Sequence, residues 1–425
     1  MLENQCPDLY GALGLHWGTH LNAKLVGDMP VHMRQHSRFE QLGPNGEKGY
    51  YTCKLNKALH GLKQSGRLWH QTLTTYMRSY GFEPTKMDPC VFVHHKGDKW
   101  IVVWAYVDDL GIFSNDEATK EQFIEDLTSK YKVTNEGPIQ YYLGVNIQKS
   151  GNTVALDQRK YIGELLEEFS MDKEPHFHVT TPMADVPNTD ATPLDEEQAS
   201  TYRRMVGCLV YIATMTRPDV AYAVSCVSRH LHAPAVMDRK AVKRIYRYLR
   251  HTKDETLVYS SPDAGIELVS DSNFSNCKET ARSTTALVLI MFGSPVYWKS
   301  IRQQVVALST TEAEYMAMCA ALQALLFISQ FLEELGIPEL MQRSPFLLQG
   351  DNEGAIKMVQ EGSTNIHTKH IHRKFHFLRE KESEGFIHAV HIKGNLNKAD
   401  GLTKRLGKTL HRVSMKRLGL RNLRE

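Results

Sequence analysis

Apolar and polar positions fall into clear periods from Tyr50 onwards, whereas residues 1–40 hold neither a period of 2 nor one of 3.6. Cys53–Trp69 is helical in its second half, and the β-rich runs Cys90–His95 and Trp100–Tyr106 predict a hairpin. Leu143–Ile147 and Thr153–Leu156 flank Ser150-Gly151-Asn152 and predict a second pair of strands, followed by an amphipathic helix from Lys160 to Phe169. Glu174–Glu197 carries four prolines among Thr, Asp and Asn, a composition that predicts an extended, solvated linker and a domain boundary. Helical patterns follow over Thr201–Thr214, over Asp219–His230 after the break at Pro218, and over Ala241–His251. Beyond Ser260-Ser261-Pro262 come strands at Ile266–Ser270, Ala286–Phe292 and Val296–Lys299, then a helix from Thr311 to Leu335. A strand at Phe346–Leu348, a helix from Asn352 to Gln360 and a strand at His388–Ile392 complete an α/β order.

A chain of 425 residues exceeds what one core usually organises, so two or three domains are expected. Hydrophobic residues at 42% and charged residues at 23% suit a chain that buries a core. The net charge of +3 permits nucleic-acid binding without requiring it. Seven scattered cysteines without a C-x-x-C pair fit a reduced intracellular setting. Neither an apolar stretch of about 20 residues nor a signal-peptide layout is legible, so no membrane partner is expected.

Four acids in the last domain stand where chemistry is expected: Asp271 at a strand end, Glu314 in the first turn of a helix, Asp351 after a strand, and Asp400 before Gly401-Leu402. Each alone reads as a cap or turn residue. Together, on an α/β order, they repel one another unless a hard divalent cation compensates them, and two such ions can drive phosphodiester hydrolysis. Asp108 and Asp109, in Tyr106-Val107-Asp108-Asp109 after an apolar run, form a second and weaker candidate. His367, His370, His372 and His376 lack companion cysteines and the spacing of a zinc finger, so a solvated helix start is the better reading.

Several passages resemble the Pol polyprotein of copia-type LTR retrotransposons. In the polymerase half they are Leu59-His60-Gly61-Leu62-Lys63-Gln64-Ser65 with Trp69, the Tyr-Val-Asp-Asp passage, Tyr142-Leu143-Gly144, and Val206–Tyr211 with Thr216-Arg217-Pro218-Asp219. In the other half they are Ser270-Asp271-Ser272, Trp298-Lys299-Ser300, Ala307–Tyr315, Asp351-Asn352 and Asn397–Lys404.

The resemblance implies a mixed α/β and α+β chain. It would hold a palm remnant at 1–40, a partial reverse-transcriptase palm at 41–173, a linker at 174–197 and a helical thumb or connection at 198–255. An RNase H-like α/β domain at 256–405 and a basic tail at 406–425 would follow. It implies Mg²⁺, or Mn²⁺ in its place, as two ions per catalytic site. Asp271, Glu314, Asp351 and Asp400 would be the ribonuclease ligands, Asp108 and Asp109 the palm pair, and Gln64 a neighbour of the incoming nucleotide. Glu314 is preferred to Glu312, which would face another side.

Trp298, Lys299, Arg302 and Gln303 are candidates to grip nucleic acid, with core packing the favoured reading for Trp298, while the tail cations from Lys404 to Arg424 read equally as a phosphate contact or a frayed end. The implied partners are an RNA–DNA hybrid, an RNA template with a DNA primer, and the rest of a Pol polyprotein. The family also has fingers and a third palm aspartate, before a passage matched here by Gly18-Thr19-His20-Leu21-Asn22. Family spacing puts Leu15 at that aspartate's position, and Asp28 is no evident substitute, so a ribonuclease fused to a polymerase-deficient remnant is expected. The alternatives are a functional RNA-directed DNA polymerase and an inactive relic that only binds nucleic acid.

Overall fold

The computed structural model describes residues 10–15, 23–25, 30–36, 38, 40–49, 51–131, 133–175, 178–184, 189–260, 265–277, 279–337, 344–361 and 372–423. Two compact units divide the chain, one of residues 1–139 with 333–336 and one of residues 140–332 with 337–425. The break after Ile139 precedes the proline-rich stretch where the sequence places its boundary.

The first unit contains β1 (Tyr10–Leu15), β2 (His32–Arg34), β3 (Thr52–Lys54), α1 (Ser65–Tyr80), β4 (Glu83–Pro84), β5 (Val91–Lys96), β6 (Lys99–Tyr106), β7 (Asp109–Ser114), α2 (Glu117–Lys130) and β8 (Val133–Gly137). Its main sheet runs β4-β5-β6-β7-β1-β8. The predicted hairpin is β5–β6, in register from Val91 opposite Trp104 to Lys96 opposite Lys99. On α1 the buried Trp69, Leu73, Tyr76 and Met77 form one stripe, which meets Phe92, Ile101, Val103 and Ile112 of the sheet in a common core. Gly81 ends α1 at φ 99°, a left-handed cap that a residue with a Cβ rarely adopts. Asp116 caps α2 by accepting from the Thr119 amide.

The second unit opens with β9 (Tyr141–Tyr142), β10 (Val145–Ser150), β11 (Thr153–Asp157) and α3 (Arg159–Glu168), then α4 (Glu196–Met215), α5 (Ala221–Val227), α6 (Val236–His251) and β12 (Glu255–Tyr259). It continues through β13 (Glu267–Asn273), β14 (Thr284–Met291), β15 (Ser294–Arg302), α7 (Thr310–Glu334), β16 (Phe346–Gly350), α8 (Glu353–Gln360), α9 (His372–Ser383), β17 (Ile387–His391), α10 (Lys408–Arg417) and β18 (Leu420–Asn422). One sheet runs β18-β12-β11-β10-β9, the other β15-β14-β13-β16-β17. In the latter β13, β14 and β15 are antiparallel neighbours, whereas β16 and β17 run parallel to β13, so the connection sense changes beside β13. Such switch points open a crevice at the carboxyl ends of the parallel strands.

The helical stretch and the last α/β sheet do not form separate cores. Ile162, Leu209, Val224 and Leu249 from the helices join Val288, Trp298, Leu402 and Leu420 in a single cluster. Nor is the proline-rich segment an entirely solvated linker. Val179 and Thr181 are buried, and Glu174 holds Lys243 at 2.9 Å and Arg247 at 2.8 Å. Proline content reports local backbone preference; it does not report that a few apolar residues find a distant groove.

α7 is long and apolar enough, by length and composition alone, to cross a membrane, contrary to the sequence expectation. In this unit it is a core helix, with Ala313, Tyr315, Ala317, Ala321, Leu322 and Leu325 buried.

Candidate metal centre and palm hairpin

Asp271 lies inside β13 rather than at its end, one residue beyond the buried Ser270. Glu267, Leu268 and Val269 of β13 pair with Leu347, Leu348 and Gln349 of β16. Continuing that parallel register by two residues brings Asp271 level with Asp351, which follows the last residue of β16. Glu314 enters from the first turns of α7. Oxygen atoms of Asp271, Glu314 and Asp351 all lie within 4.8 Å of one another. Glu312 is occupied elsewhere: its carboxylate accepts the Leu308 amide at 2.7 Å, closing the start of α7.

The cluster is held from below. Thr403 donates its hydroxyl to Asp271 Oδ2, and the Asn397 amide donates to the Ser270 carbonyl at 3.1 Å and to Asp271 Oδ1 at 3.3 Å. The Ser272 amide donates to Glu314 Oε1 at 3.0 Å. Glu314 Oε2 is buried and accepts no hydrogen bond. A buried carboxylate oxygen without a donor, facing two more carboxylates, is costly unless a cation meets it. Oxygen-only ligands of this kind suit a hard divalent ion, so the residues fit the metal that the sequence implies. A Cβ at Gly394 would lie 3.0 Å from Asp351 Oδ2, so glycine keeps that side of the cluster open.

Electrostatics follow the packing. Burial pushes the Asp271 carboxyl up to about 6; the Thr403 hydroxyl opposes that, and Asp351 and Asp400 add to it. Burial, then Asp271 and Asp351, push Glu314 up to about 9. Asp351 is also raised, chiefly by burial.

Asp400 sits in the short helical turn Asp400–Leu402 and is not one of the three converging acids. Its carboxylate pairs with the Lys404 ammonium. Burial pulls that ammonium down, and Asp400, with Asp271 and Asp351, more than restores it. Sequence reasoning counted Lys404 among the tail cations and gave Asn397 and Thr403 no task, although all three fall in the Asn397–Lys404 passage. The Lys404 charge acts on all three acids, opposing the rise of Asp271, Glu314 and Asp351. Lys404→Met is therefore expected to bind Mn²⁺ roughly fivefold to tenfold more tightly in a calorimetric titration. Equal or weaker binding would show that the ammonium does not compete with the ion.

In the first unit, Tyr106 pairs with Asp109 across a two-residue turn made by Val107 and Asp108. Val107 has φ 53°, a left-handed conformation that is strained for a β-branched residue. The Trp69 indole holds it by donating to the Val107 carbonyl at 2.9 Å. Burial, then Glu136 and Asp108, raise the Asp109 carboxyl. Strand β1 pairs with β7, and Gly14 is opposite Asp109, which makes Leu15 the next residue at the turn end of β1. Gln64 stands at the N-cap of α1 without a side-chain cap bond. Its neighbours Leu62 and Ser65 line a pocket of about 320 Å³ that reaches Val107, and Gln64 is not among the lining residues.

Two expected nucleic-acid contacts are core residues. Trp298 is 8% exposed and donates to the Ala213 carbonyl at 2.7 Å, and Gln303 is 5% exposed and donates to Thr285 Oγ1 and the Ala313 carbonyl. Lys299 is exposed, while half-buried Arg302 reaches Cys277 Sγ at 3.6 Å. Alternation along β15 separates buried Trp298 from exposed Lys299, whereas Gln303 lies just beyond the strand and is buried by its bonds to Thr285 and Ala313. The passage Gly18–Asn22, Asp28, His367, His370 and the side chain of His372 lie outside the described residues.

Along the sequence, an antiparallel hairpin with paired acids at its turn is followed by a mixed sheet with a buried acidic centre. Residues 18–185 match the family described as "Reverse transcriptase (RNA-dependent DNA polymerase)". The chain is 33% identical over 394 residues to the "Retrovirus-related Pol polyprotein from transposon TNT 1-94" of Nicotiana tabacum, covering 90% of this chain and 29% of that protein. It is 32% identical to the corresponding polyprotein from transposon RE1 of Arabidopsis thaliana, covering 87% of this chain and 25% of that one. The chain is thus a relative of copia-type transposon Pol polyproteins over most of its own length. It spans under a third of the length of these relatives. Among solved structures it is similar to the RNase H1 LC11 isolated from compost, at 18% identity and TM-score 0.26, over 32% of this chain and 91% of that one.

Proposed function

We propose that the second unit hydrolyses the RNA strand of RNA–DNA hybrids in a divalent-cation-dependent reaction. The convergence of Asp271, Glu314 and Asp351 within 4.8 Å, with Glu314 Oε2 buried and lacking a donor, carries this reading. These three acids would hold Mg²⁺ or Mn²⁺, with Asp400 completing the set once Lys404 releases it. The ions supply an activated water and charge stabilisation at the leaving oxygen. The chain's own task is to fix the ligands: Thr403 and Asn397 orient Asp271, and the Ser272 amide orients Glu314. No protein nucleophile is required.

The first unit is proposed to be polymerase-deficient. Asp108 lies in the turn of the palm hairpin and Asp109 directly after it, but the register position beside Asp109 at the end of β1 leads to Leu15, an apolar residue unable to bind a cation. Two-metal transfer loses most of its rate without one of its ligands.

The test uses one purified preparation with Mg²⁺ or a chelator. The RNA strand of a labelled hybrid should be cut only with Mg²⁺, while the same RNA alone stays intact and a primer on an RNA template is not extended. Equal cutting of RNA with and without its DNA complement would overturn the hybrid reading, and primer extension would overturn the deficiency.

A further inference from the structure

The basic tail, which the sequence leaves open between a frayed end and a phosphate contact, is folded on one side and cationic on the other. His411 is buried with its imidazole 3.0 Å from the Tyr248 hydroxyl, and Met415, Leu418 and Leu420 enter the core of the second unit. Lys408, Arg412 and Lys416 are exposed and four residues apart, so they form a stripe with steps of about 6 Å along α10. With Arg421 of β18 they line a cleft of about 530 Å³. Across it lie His178 and His251, whose rings stack at 5.2 Å between centroids. Glu255 is the single acid among the lining residues, against four Lys and Arg side chains.

A concave wall of one sign concentrates anions, and a line of cations on a rigid helix matches a polymer of phosphates better than one compact ion. The cleft is also tied to the acidic centre. Helix α10 begins eight residues after Asp400, and a Cβ at Gly401 would lie 2.3 Å from Ser414 Oγ, so the turn carrying Asp400 packs directly on α10. We propose that this cleft binds the phosphate backbone of one strand of the nucleic acid whose other segment lies in the acidic centre. For its ligand class the inference rests on the hydrolase reading. Contacts of this kind position a duplex without reading its sequence.

The experiment is fluorescence anisotropy of a labelled mixed-sequence RNA–DNA hybrid with the full chain in chelator, free of divalent cations, at several concentrations of monovalent salt. Binding is read without cleavage, so it is decided separately from the hydrolase reading, which the Mg²⁺ cleavage assay decides. Lys408→Gln/Arg412→Gln/Lys416→Gln is expected to weaken binding about tenfold or more and to lower the slope of log affinity against log salt by roughly 2 to 3. Affinity and slope equal to wild type would overturn the proposal. Acylation of lysines in the unsubstituted chain provides a readout independent of the variant's folding. Protection of Lys408 and Lys416 by the hybrid supports the cleft, and equal labelling with and without hybrid overturns it.

Discussion

Asp271→Asn will reduce hybrid cleavage by about a thousandfold or more and at the same time raise the melting temperature of the cation-free chain by several degrees. The two effects share one cause. Asp271 is buried beside Glu314 and Asp351, and its charge is tolerated poorly until a cation arrives. Neutralising it removes a ligand and a source of repulsion together.

The pH dependence fixes the sign. Asp271 and Glu314 rise from ordinary values of 3.8 and 4.5 to about 6 and about 9, so both bind protons more tightly in the folded chain than in the unfolded one. Their contribution to stability is fully present below about pH 4 and is lost as the pH rises through 6 and then 9. Thermal melts in chelator should therefore show wild type losing stability between pH 5 and 9 more steeply than Asp271→Asn, about pH 9 being the end of the window. Added Mg²⁺ should flatten the wild-type curve and leave the variant's unchanged. Parallel curves in chelator would contradict this account of the site.

Arg217→Ala is expected to cost about 3–5 kcal/mol in urea denaturation, the second large effect. Arg217 is fully buried. It grips Asp219 through two hydrogen bonds of 2.8 and 2.7 Å and donates to the Thr252 carbonyl and hydroxyl. The Tyr248 hydroxyl donates to Asp219 at 2.6 Å, and His411 closes the group from α10. Burial opposes the charge on Asp219, and the Arg217 guanidinium reverses that and holds the carboxyl below its ordinary range. Removing Arg217 strands a buried anion, which costs more than the pair contributes. Asp219→Asn in the Arg217→Ala background should restore part of the loss, because an amide needs no counter-charge. A loss under about 1 kcal/mol for Arg217→Ala would show that the pair is not coupled to the fold.

The β5–β6 and β10–β11 hairpins were legible because their strands alternate or run apolar over short spans with turn residues between them. The acids of the second unit were legible because each follows or opens an element whose period is plain. What the sequence hides is contact between distant segments. Core packing is the favoured reading of Trp298 in the sequence, but its partner is not legible there: the indole donates to the Ala213 carbonyl, 85 positions away. Glu174–Glu197 looks like a linker until Val179 and Thr181 are seen to be buried. Lys404 looks like one tail cation among many until the short turn Asp400–Leu402 is seen to pair it with Asp400 and set its charge against the distant Asp271 and Asp351. The boundary after Ile139 is hidden for the same reason, since β12 and β18 complete a sheet begun by β9, β10 and β11.

The central claim is that the buried acids of the second unit are the ligands of a hydrolytic metal centre. The most direct measurement is cleavage of a labelled RNA–DNA hybrid by the purified chain in Mg²⁺, with Asp351→Asn alongside. Asp351 is one of the three converging acids, and Asn352 beside it caps α8, so the substitution leaves the helix start intact. The account predicts cleavage by the wild type and none by a folded Asp351→Asn. Cleavage at equal rates would place the chemistry elsewhere, and no cleavage by a folded wild type would mean that the acids are assembled but not used.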